Sequence, residues 1–444
     1  MMENSFKVAI IGGGLCGLAL AIALQERNVP FMLYESRSSF TEIGAGLTLN
    51  APALQSLSLI KPALGEAVIQ MATRSLPPYE VSTMHIRYGA DLRDHKEGDV
   101  IFELASPPPG MLFVHRQDVL SLLVEALDPE NARLNKKFVS YRQRDDGLVD
   151  IYFADGSEET ANMLVACDGI HSRVREVMFG KDNPISKPHF NGEGGYRGVI
   201  PMEKLEKSLG DEAHQSQLLL GPGGFLLYYP VSGGKNVNCA AWFKNDDWDC
   251  EDWVVPGNKE QFESQYKSWG STARKILDSF DREKLMFWTI HHFVHQPDSF
   301  HDSRVILLGD AAHAMAPHQG AGAGQGVEDA IVFAEVLDSM IRKTRGSDNN
   351  GNESHMTLAP TAGSIAAALQ AVENTRKPRF LEVQRMSTAA GKRWAEFYDQ
   401  VMEGEELSTW VQSAKDQLAW IFGVDMANDV NIAIARFHEL VAMS

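Results

Sequence analysis

The hydrophobic pattern divides the chain into segments with the periods of strands and helices. Residues 8–11, 30–34 and 305–308 are short continuous apolar runs, which are typical of buried strands. Residues 15–24 form an apolar run that predicts a core helix, and apolar residues recur at helical spacing between positions 327 and 341. Strands that alternate with helices in this way predict a parallel sheet of the α/β class.

The middle of the chain has a different pattern. Between about residues 181 and 286, aromatic residues, glycine and proline become more frequent and few helix-start signals remain. Residues 195–200, 225–231 and 237–243 are predicted strands, which together indicate a mainly antiparallel sheet able to close over a bound ligand. Residues 76–99 predict an earlier excursion into a second domain.

Helices return in the last part of the chain. Residues 344–364 are polar and rich in glycine, serine and asparagine, which predicts a flexible loop. The helical pattern resumes from residue 366 to about residue 400, and residues 405–444 have aromatic spacings that suit packed helices.

Composition limits the classes of function. The 444 residues are enough for two or three domains, and a hydrophobic content of 44% is that of an ordinary globular protein. The net charge of −18 argues against nucleic acid or an anionic membrane as a partner. The four cysteines form no C-x-x-C pair and no apolar run is long enough to span a membrane. We therefore expect a cytoplasmic protein with reduced thiols and no bound metal.

The first predicted strand is followed by the pattern G-x-G-x-x-G. Gly12 allows the tight turn, Gly14 lets a pyrophosphate approach the backbone, and Gly17 lets helix and strand pack closely. Glu35 ends the second strand, where its carboxylate is placed to accept hydrogen bonds from a ribose hydroxyl. This arrangement predicts dinucleotide binding, although the motif alone does not choose between FAD and NAD.

A second glycine-rich stretch lies between the strand at residues 305–308 and the helix that follows it. Its glycines are Gly320, Gly322, Gly324 and Gly326. Glycine lets the backbone come close to a ligand, and the free N–H groups of a helix start favour negative charge in front of them. The stretch predicts a site for an anion or an electron-rich oxygen, and the alternative is a glycine-rich loop without a ligand.

Three charged residues have two interpretations each. Arg116 lies at a strand-to-helix junction, where it either holds a phosphate or ribose or is an ordinary surface residue. Asp168 follows a buried strand, at the edge where α/β sheets bind ligands, or belongs to a simple connecting turn. Arg197 lies in a strand of apolar and aromatic residues, so it is either paired structurally or faces a pocket.

The dinucleotide motif, Asp168-Gly169 and Gly309-Asp310 together resemble the single-component FAD-dependent aromatic hydroxylases, the family of para-hydroxybenzoate hydroxylase and salicylate hydroxylase. The resemblance covers roughly residues 5–400. The salicylate hydroxylase branch is the most similar, on residues 314–330, His115-Arg116, Tyr196-Arg197-Gly198 and Tyr229-Pro230-Val231. Fungal hydroxylases that dearomatise resorcinol-type aldehydes share the last two motifs.

The resemblance implies a Rossmann-like FAD-binding domain, an inserted and mainly antiparallel β-sheet substrate domain as in para-hydroxybenzoate hydroxylase, and C-terminal helices. The expected boundaries are 1–75, 100–180 and 287–400 for the discontinuous FAD-binding domain, 76–99 and 181–286 for the substrate domain, and 401–444 for the C-terminal helical segment.

The resemblance also implies the residues that contact FAD. They are Gly12, Gly14, Gly17 and Glu35 at the ADP half, Arg116 at the phosphate or ribityl region, Asp168 where FAD and the nicotinamide cofactor are both sensed, Asp310 at the ribityl chain, and Pro317, Gly320, Gly322, Ala323 and Gly324 beside the flavin ring. Aligned N–H groups at this helix start would stabilise the negative charge of reduced flavin.

The implied activity is NAD(P)H- and O2-dependent hydroxylation of a phenolic aromatic acid through a flavin C4a-hydroperoxide, foremost salicylate to catechol with loss of CO2. We expect Arg197 to anchor the substrate carboxylate or phenolate, Tyr229 to hydrogen-bond the phenol oxygen, and His318 to relay a proton. The alternatives for these residues are a structural ion pair, a core tyrosine and a loop histidine.

Other functions stay open at this point. The same chemistry suits another phenol or a resorcinol-type aldehyde in secondary metabolism, and a flavin-binding redox sensor with little turnover is the alternative from another class. As in the whole family, a second glycine-rich motif for the pyridine nucleotide is lacking, so the sequence does not distinguish NADH from NADPH. It does not distinguish a monomer from a homodimer either.

Overall fold

The computed structural model describes residues 6–41, 46–73, 82–105, 110–245, 248–345, 360–400, 402 and 404–443. Its strands are β1 Val8–Ile11, β2 Phe31–Tyr34, β3 Gly46–Leu49, β4 Ser82–Tyr88, β5 Val100–Ala105, β6 Leu112–His115, β7 Ala132–Arg133, β8 Phe138–Gln143, β9 Val149–Phe153, β10 Glu158–Ala161, β11 Met163–Ala166, β12 His189–Pro201, β13 Gln217–Gly221, β14 Gly224–Val231, β15 Asn236–Lys244, β16 Val254–Pro256, β17 Met286–His292, β18 His301–Asp302 and β19 Val305–Leu307. Its α-helices are α1 Leu15–Glu26, α2 Ala51–Ile60, α3 Pro62–Met71, α4 Arg116–Ala126, α5 Arg173–Phe179, α6 Met202–Leu209, α7 Lys259–Gln265, α8 Ser271–Asp278, α9 Asp310–His313, α10 Gly322–Arg345, α11 Ala362–Ala395, α12 Phe397–Gln400, α13 Gly404–Phe422 and α14 Met426–Met443.

The predicted parallel sheet is confirmed in a sheet of six strands, in the order β18-β19-β11-β1-β2-β7. β1 pairs in parallel with β2 and β11, and β11 pairs in parallel with β19. Side chains of β1 alternate between two cores, because Val8 and Ile10 pack with α1 and α10 whereas Ala9 and Ile11 pack with the small sheet β8–β10. Burial on both faces explains why the strand is a continuous apolar run.

The parallel arrangement brings three motifs to one edge of the sheet. β1, β11 and β19 end just before Gly12, Asp168 and Asp310, respectively. Because the carboxyl ends of neighbouring parallel strands lie side by side, residues far apart in the chain meet there. This edge forms the floor of the candidate site.

The predicted antiparallel sheet is also confirmed, as eight strands in the order β16-β17-β12-β15-β14-β13-β4-β5, in which β13 and β4 are parallel. Its membership corrects two expected boundaries. Residues 100–105 form β5 and pair with β4, and residues 286–292 form β17 and pair with β12. Residues 100–105 and 287–292 had been expected on the FAD-binding side, whereas in the structure they pair with strands of the eight-stranded sheet.

The last helices pack against both halves of the molecule. Residues 346–359, the centre of the predicted loop, lie outside the described residues, and α11 begins at Ala362. In α13, Leu418 and Phe422 join the core of the eight-stranded sheet, whereas Val430 and Phe437 of α14 join the core around α1 and α10. Within the described chain, no single helix is long and apolar enough to cross a membrane. The helices α13 and α14, which are bent by 59° relative to each other, would be long and apolar enough only when counted together.

Candidate active site

Two cavities meet at Arg116, the first residue of α4, which lines both of them. The dinucleotide cavity, of about 620 Å3, lies over the ends of β1, β2 and β11. The substrate cavity, of about 300 Å3, lies between the glycine-rich stretch and the eight-stranded sheet. A ligand with two ends can therefore extend along the sheet edge from one cavity to the other.

Glycine is required at two positions of the dinucleotide motif. Gly12 has a φ of +104°, and a β-carbon there would lie 2.4 Å from the carbonyl oxygen of Cys167. At Gly17 a β-carbon would lie 1.9 Å from the carbonyl oxygen of Gly12, so this residue packs helix against strand and does not line the cavity. Gly14 lines the cavity and precedes α1 without a capping side chain, so N–H groups at the start of this helix can bind an anion.

The carboxylate of Glu35 ties the motif to the second strand. It accepts hydrogen bonds of 2.8 Å from the N–H groups of Gly13 and Arg37, and one of 3.0 Å from the Ser36 hydroxyl. Arg37 lines the dinucleotide cavity with further cations, which are Arg116, Lys136, Lys137 and Arg173. These cations give the cavity the charge that a pyrophosphate needs.

Asp168 presents an unsatisfied carboxylate oxygen. Its Oδ2 accepts a hydrogen bond of 3.1 Å from the N–H of Val174, whereas its buried Oδ1 has no partner among the residues that the structure describes. Burial raises the pKa of Asp168 to about 6, against the opposing hydrogen bonds from Ser172 and nearby backbone N–H groups. A donor such as a cofactor hydroxyl would satisfy Oδ1.

The helix α10 begins at the wall of the substrate cavity. Its first internal hydrogen bond runs from the N–H of Gln325 to the carbonyl of Ala321, so the N–H groups of residues 322–324 have no acceptor within the helix. Gly322 and Ala323 line the cavity, as do Asp310, Pro317 and Gly320. Gly324 does not line it, and a β-carbon there would lie 3.1 Å from that of Ala53 in α2. Its missing side chain therefore serves the packing of α10 on α2.

A buried ionic cluster behind α10, which sequence reasoning missed, consists of His313, Glu328, Asp329, Arg376 and Arg379. Asp329 accepts hydrogen bonds from the N–H of Gly309 (2.9 Å) and from Arg376 (2.8 Å), and it lies 2.6 Å from His313. Glu328 is bridged by Arg376 at 2.9 Å and by Arg379 at 2.7 Å. The cluster thus fixes the Gly309-Asp310 turn and the start of α10 together.

The electrostatics of the cluster keep Asp329 charged. Burial alone would raise its pKa, but the nearby His313 and Arg376 outweigh burial and hold the pKa of this carboxyl well below its usual range. The sequence contained one indication of this cluster. Glu328-Asp329 and the arginines of α11 are charged residues in helices whose apolar spacing predicts burial.

Arg197 faces the substrate cavity from β12. Its guanidinium lies 5.5 Å from the centre of the Trp288 ring and makes no hydrogen bond or ion pair with any other residue in the described part of the chain. Burial lowers the pKa of Arg197 and the charge of Arg116 adds to this effect, whereas Tyr229 opposes it. Of its two interpretations, the structure supports a cation that faces a pocket.

Tyr229 lines the same cavity from β14. Its ring stacks on Phe113 at 4.5 Å, and its hydroxyl is held against Gly46, where a β-carbon would come within 2.4 Å of it. Burial raises the pKa of Tyr229 to about 12, while Arg197 and a hydrogen bond with Thr48 act in the opposite direction. Tyr229 is therefore a neutral residue in the wall of the substrate cavity, and its hydroxyl already forms a hydrogen bond with Thr48.

His318 lines the substrate cavity and forms a pair with a carboxylate that sequence reasoning missed. Its Nε2 lies 2.5 Å from Oε2 of Glu193, a residue of β12. Asn191 donates a second hydrogen bond of 2.7 Å to the same oxygen. The edge of the His318 ring meets Phe225 at a centroid distance of 5.3 Å. The tertiary fold thus gives this loop histidine a specific partner.

Most of the predicted residues come together, although their roles stay predictions. The dinucleotide cavity is lined by Gly12, Gly14, Glu35, Arg116 and Asp168. The substrate cavity is lined by Arg116, Arg197, Tyr229, Asp310, Pro317, His318, Gly320, Gly322 and Ala323. Gly17 and Gly324 line neither cavity.

Comparisons with known proteins agree with this geometry. A family model described as an FAD binding domain matches residues 5–350. A 6-methylsalicylate 1-monooxygenase of Aspergillus terreus is 31% identical over 99% of this chain and 94% of its own length. A salicylate hydroxylase of Pseudomonas putida is 30% identical over 98% of this chain and 97% of its own length. A solved structure of a salicylate hydroxylase substrate complex superposes with a TM-score of 0.80 at 27% identity, covering 97% of this chain and 98% of that one.

Proposed function

The chain belongs to the FAD-dependent aromatic hydroxylases, in the salicylate hydroxylase-like branch, and we propose that it hydroxylates a phenolic aromatic acid with NAD(P)H and O2. The leading substrate is salicylate, which would give catechol and CO2. Taken as a balance, salicylate, O2, NAD(P)H and two protons give catechol, CO2, NAD(P)+ and water.

Arg197 is the single observation that carries the substrate class. A guanidinium that faces a cavity without a carboxylate partner needs an anion from elsewhere. The other walls include Leu218, Phe225 and Trp242, which offer apolar surface to a ring. A cavity of about 300 Å3 whose wall contains the guanidinium groups of Arg197 and Arg116 suits a single aromatic ring that carries a carboxylate.

The residues present also fit FAD. The N–H groups at the start of α1 and the basic rim suit its pyrophosphate, the unpaired Oδ1 of Asp168 suits a hydroxyl, and the start of α10 suits a partly anionic ring. When bound, FAD would supply the electron transfer from NAD(P)H to O2 through which one oxygen atom enters the aromatic ring.

The chain's own residues would prepare the substrate. Arg197 binds the carboxylate and its positive charge favours the phenolate, the form of the ring that is rich in electrons. His318 accepts the phenol proton on its free ring nitrogen, with Glu193 at the other nitrogen. Tyr229 orients the ring by its position in the wall, and a hydrogen bond from its hydroxyl to the phenol oxygen remains part of the proposal.

The 6-methylsalicylate relative supports a second substrate of the same class. 6-Methylsalicylate keeps the carboxylate and the phenol and adds one methyl group. It would therefore use the same contacts with Arg197 and His318, and the size of the cavity next to the methyl group would decide between the two acids.

The proposal is tested by reducing the FAD-loaded protein with NADH and with NADPH under anaerobic conditions. Flavin bleaching should be at least tenfold faster with salicylate or 6-methylsalicylate than without ligand, because an occupied substrate cavity completes the site. Benzoate, which lacks the phenol, is the matched ligand control for binding without hydroxylation. Bleaching at one rate with every ligand and with none would overturn the proposal.

A further inference from the structure

A third cavity, of about 740 Å3, adjoins the Glu193–His318 pair. Its walls come from β12, β15, β17 and α11, and include Glu193, His292 and Lys392. The side chain of Lys392 is 74% exposed, so this cavity opens to solvent. His318 lines the substrate cavity and Glu193 lines the third cavity, and the bond between them therefore forms a wall shared by the two spaces.

The pair is tightly enclosed. The side chain of His318 is 1% exposed and that of Glu193 is 11% exposed. Gly391 of α11 packs directly on both, since a β-carbon there would lie 2.4 Å from Cδ2 of His318 and 2.5 Å from Oε1 of Glu193. The hydrogen bond of the pair is therefore an enclosed path along which a proton can cross this wall.

The two ring nitrogens of His318 have different surroundings. Nε2 lies 2.5 Å from Glu193, whereas Nδ1 makes no hydrogen bond with any residue that the structure describes, and His318 is part of the wall of the substrate cavity. One nitrogen can therefore receive a proton from a ligand while the other faces a carboxylate.

We propose that Glu193 is a positioning residue for the hydroxylation. Its carboxylate balances the charge of His318 while that ring takes the phenol proton, and it then passes a proton to water in the third cavity. This inference rests on the proposed function. The phenol O–H bond breaks, its proton goes to Nδ1, and the electron pair stays on the oxygen as phenolate. The Nε2 proton then passes to Oε2 of Glu193 and on to water in the third cavity. Exchange with water restores the starting tautomer of His318 after the product leaves.

The charges around the pair agree with this role. Besides His318, the titratable or charged groups that face Glu193 across the third cavity are His292, Lys244, Arg385, Lys392 and Glu396. Burial opposes ionisation of Glu193, but His318, with help from Asn191 and His292, outweighs burial and lowers the pKa of Glu193. Burial lowers the pKa of His292, so its positive charge contributes less to the pairing with Glu193 than the charge of His318 does.

The test measures the ionisation of a bound phenol directly. The probe is 5-nitrosalicylate, whose phenolate is coloured, added to the FAD-loaded protein and titrated by difference absorbance. In Glu193→Gln, which keeps the shape and a hydrogen-bond acceptor but not the charge, the bound phenol should ionise about 1 pH unit higher than in the unaltered protein. Proton release on binding, followed by stopped flow with an indicator dye, should slow about tenfold, which is less than the usual contribution of a group that takes the proton directly from the ligand.

Two further variants separate this role from a structural one. Glu396→Gln removes a carboxylate from the same cavity without contact to His318, and it should titrate like the unaltered protein. His318→Gln should shift the titration as Glu193→Gln does, and the double variant should shift it no further. If Glu193→Gln is too unstable to hold FAD, Glu193→Asp keeps the charge and should restore most of the ionisation.

The outcomes are distinguishable. Tight binding of 5-nitrosalicylate with the same titration curve in Glu193→Gln and in the unaltered protein would overturn the inference alone, as would an additive shift in the double variant. Absence of binding to the unaltered protein, together with no stimulation of flavin reduction by any phenolic acid, would overturn the proposed function.

Discussion

Burying a guanidinium in a partly apolar wall costs free energy unless the charge has a partner. Arg197 is in that position. Burial lowers the pKa of Arg197, and the charge of another cation, Arg116, lowers it further, whereas Tyr229 opposes this effect. Two guanidinium groups at one cavity repel each other, and a bound anion relieves this repulsion. We therefore expect these two residues to contribute most to the affinity for an anionic substrate.

Arg197→Gln should weaken the binding of salicylate about 10- to 100-fold, since a hydrogen bond to a charged group contributes about 1.5–3 kcal/mol. Affinity is measured by the change in flavin absorbance on titration of the FAD-loaded variant. Salicylaldehyde, which has no carboxylate, is the ligand control, and its affinity should change little. Equal losses for both ligands would show that Arg197 acts through the fold and not through the anion.

Asp168 predicts a pH dependence for the binding of FAD. Its pKa is raised to about 6 by burial, and a hydroxyl of FAD should donate to the ionised Oδ1. Binding then displaces a proton below pH 6, so the affinity of the apoprotein for FAD is highest above this pH and falls as the pH drops below it. Fluorescence titration of the apoprotein with FAD from about pH 5 to pH 8 measures this effect.

The matched variants for this effect are Asp168→Asn and Asp182→Asn. Asp168→Asn cannot ionise, so its affinity should lose this pH dependence and be about tenfold lower at pH 7.5. Asp182 has a side chain that is 99% exposed, and its variant should behave like the unaltered protein. If the affinity of the unaltered apoprotein for FAD is the same below and above pH 6, this role of Asp168 is contradicted.

Residues with a local pattern could be predicted from the sequence, whereas their tertiary partners could not. Arg197 was identified because a cation stands out in an apolar strand. Glu193, only four positions earlier, gave no signal, since its partner His318 is 125 residues away and the two meet only when β12 packs against the segment before α10. The Thr48 neighbour of Tyr229 was missed for the same reason.

At the scale of elements, the start of α10 is held from behind by the buried ionic cluster. Asp329 connects the helix to the Gly309 turn, and Arg376 of α11 bridges Asp329 and Glu328. The position of the free N–H groups of α10 therefore depends on a helix that does not itself provide the glycine motif.

Arg376→Gln should lower the free energy of unfolding by about 3 kcal/mol, because it leaves buried carboxylates without their cation. It should also release FAD more readily, since the start of α10 loses its support. Chemical denaturation of the holoprotein and FAD retention on gel filtration measure the two effects. The control on the same helix is Arg385→Gln, whose partner is Glu382 at the surface and whose stability should be unchanged. A similar loss in both variants would argue against the cluster.

From the sequence, Gly17 and Gly324 were assigned to the cofactor site, and Gly17 was given a packing role as well. The structure shows close packing at both glycines, of α1 on β1 and of α10 on α2, and neither glycine lines a cavity. A glycine that admits a ligand and one that admits a neighbouring backbone or side chain have the same pattern in a sequence. Only the position of the neighbouring element separates the two.

At the scale of the whole molecule, the substrate cavity is closed by three parts of the chain. The six-stranded sheet carries the glycine-rich stretch, the eight-stranded sheet carries Arg197, and α13 adds Leu418 and Phe422 to the wall. Contacts between distant segments create the parallel pairing of β4 with β13. They also bring β5 next to β4 and β17 next to β12 in the eight-stranded sheet. Hydrophobic periodicity carries no information on such pairing, which explains the two misplaced boundaries.

Phe422→Ala should open the substrate cavity to water and uncouple turnover. We expect NAD(P)H oxidation to continue while a larger share of the O2 consumed appears as H2O2, because the reacting ring is less well shielded. H2O2 and product are quantified in the same reaction. Ile432→Ala is the control, since it removes a comparable side chain from α14 that is 37% exposed. If Phe422→Ala forms product and H2O2 in the same ratio as the unaltered protein, α13 does not shield the reacting ring.

The most direct measurement is turnover of salicylate labelled with 13C at its carboxyl carbon under 18O2, with NADH or NADPH and the FAD-loaded protein. An aromatic acid held by Arg197 beside the flavin should yield catechol with one 18O atom and release 13CO2 in equal amount. Recovery of unchanged salicylate, with the consumed O2 present as H2O2, would contradict the proposed reaction on this acid.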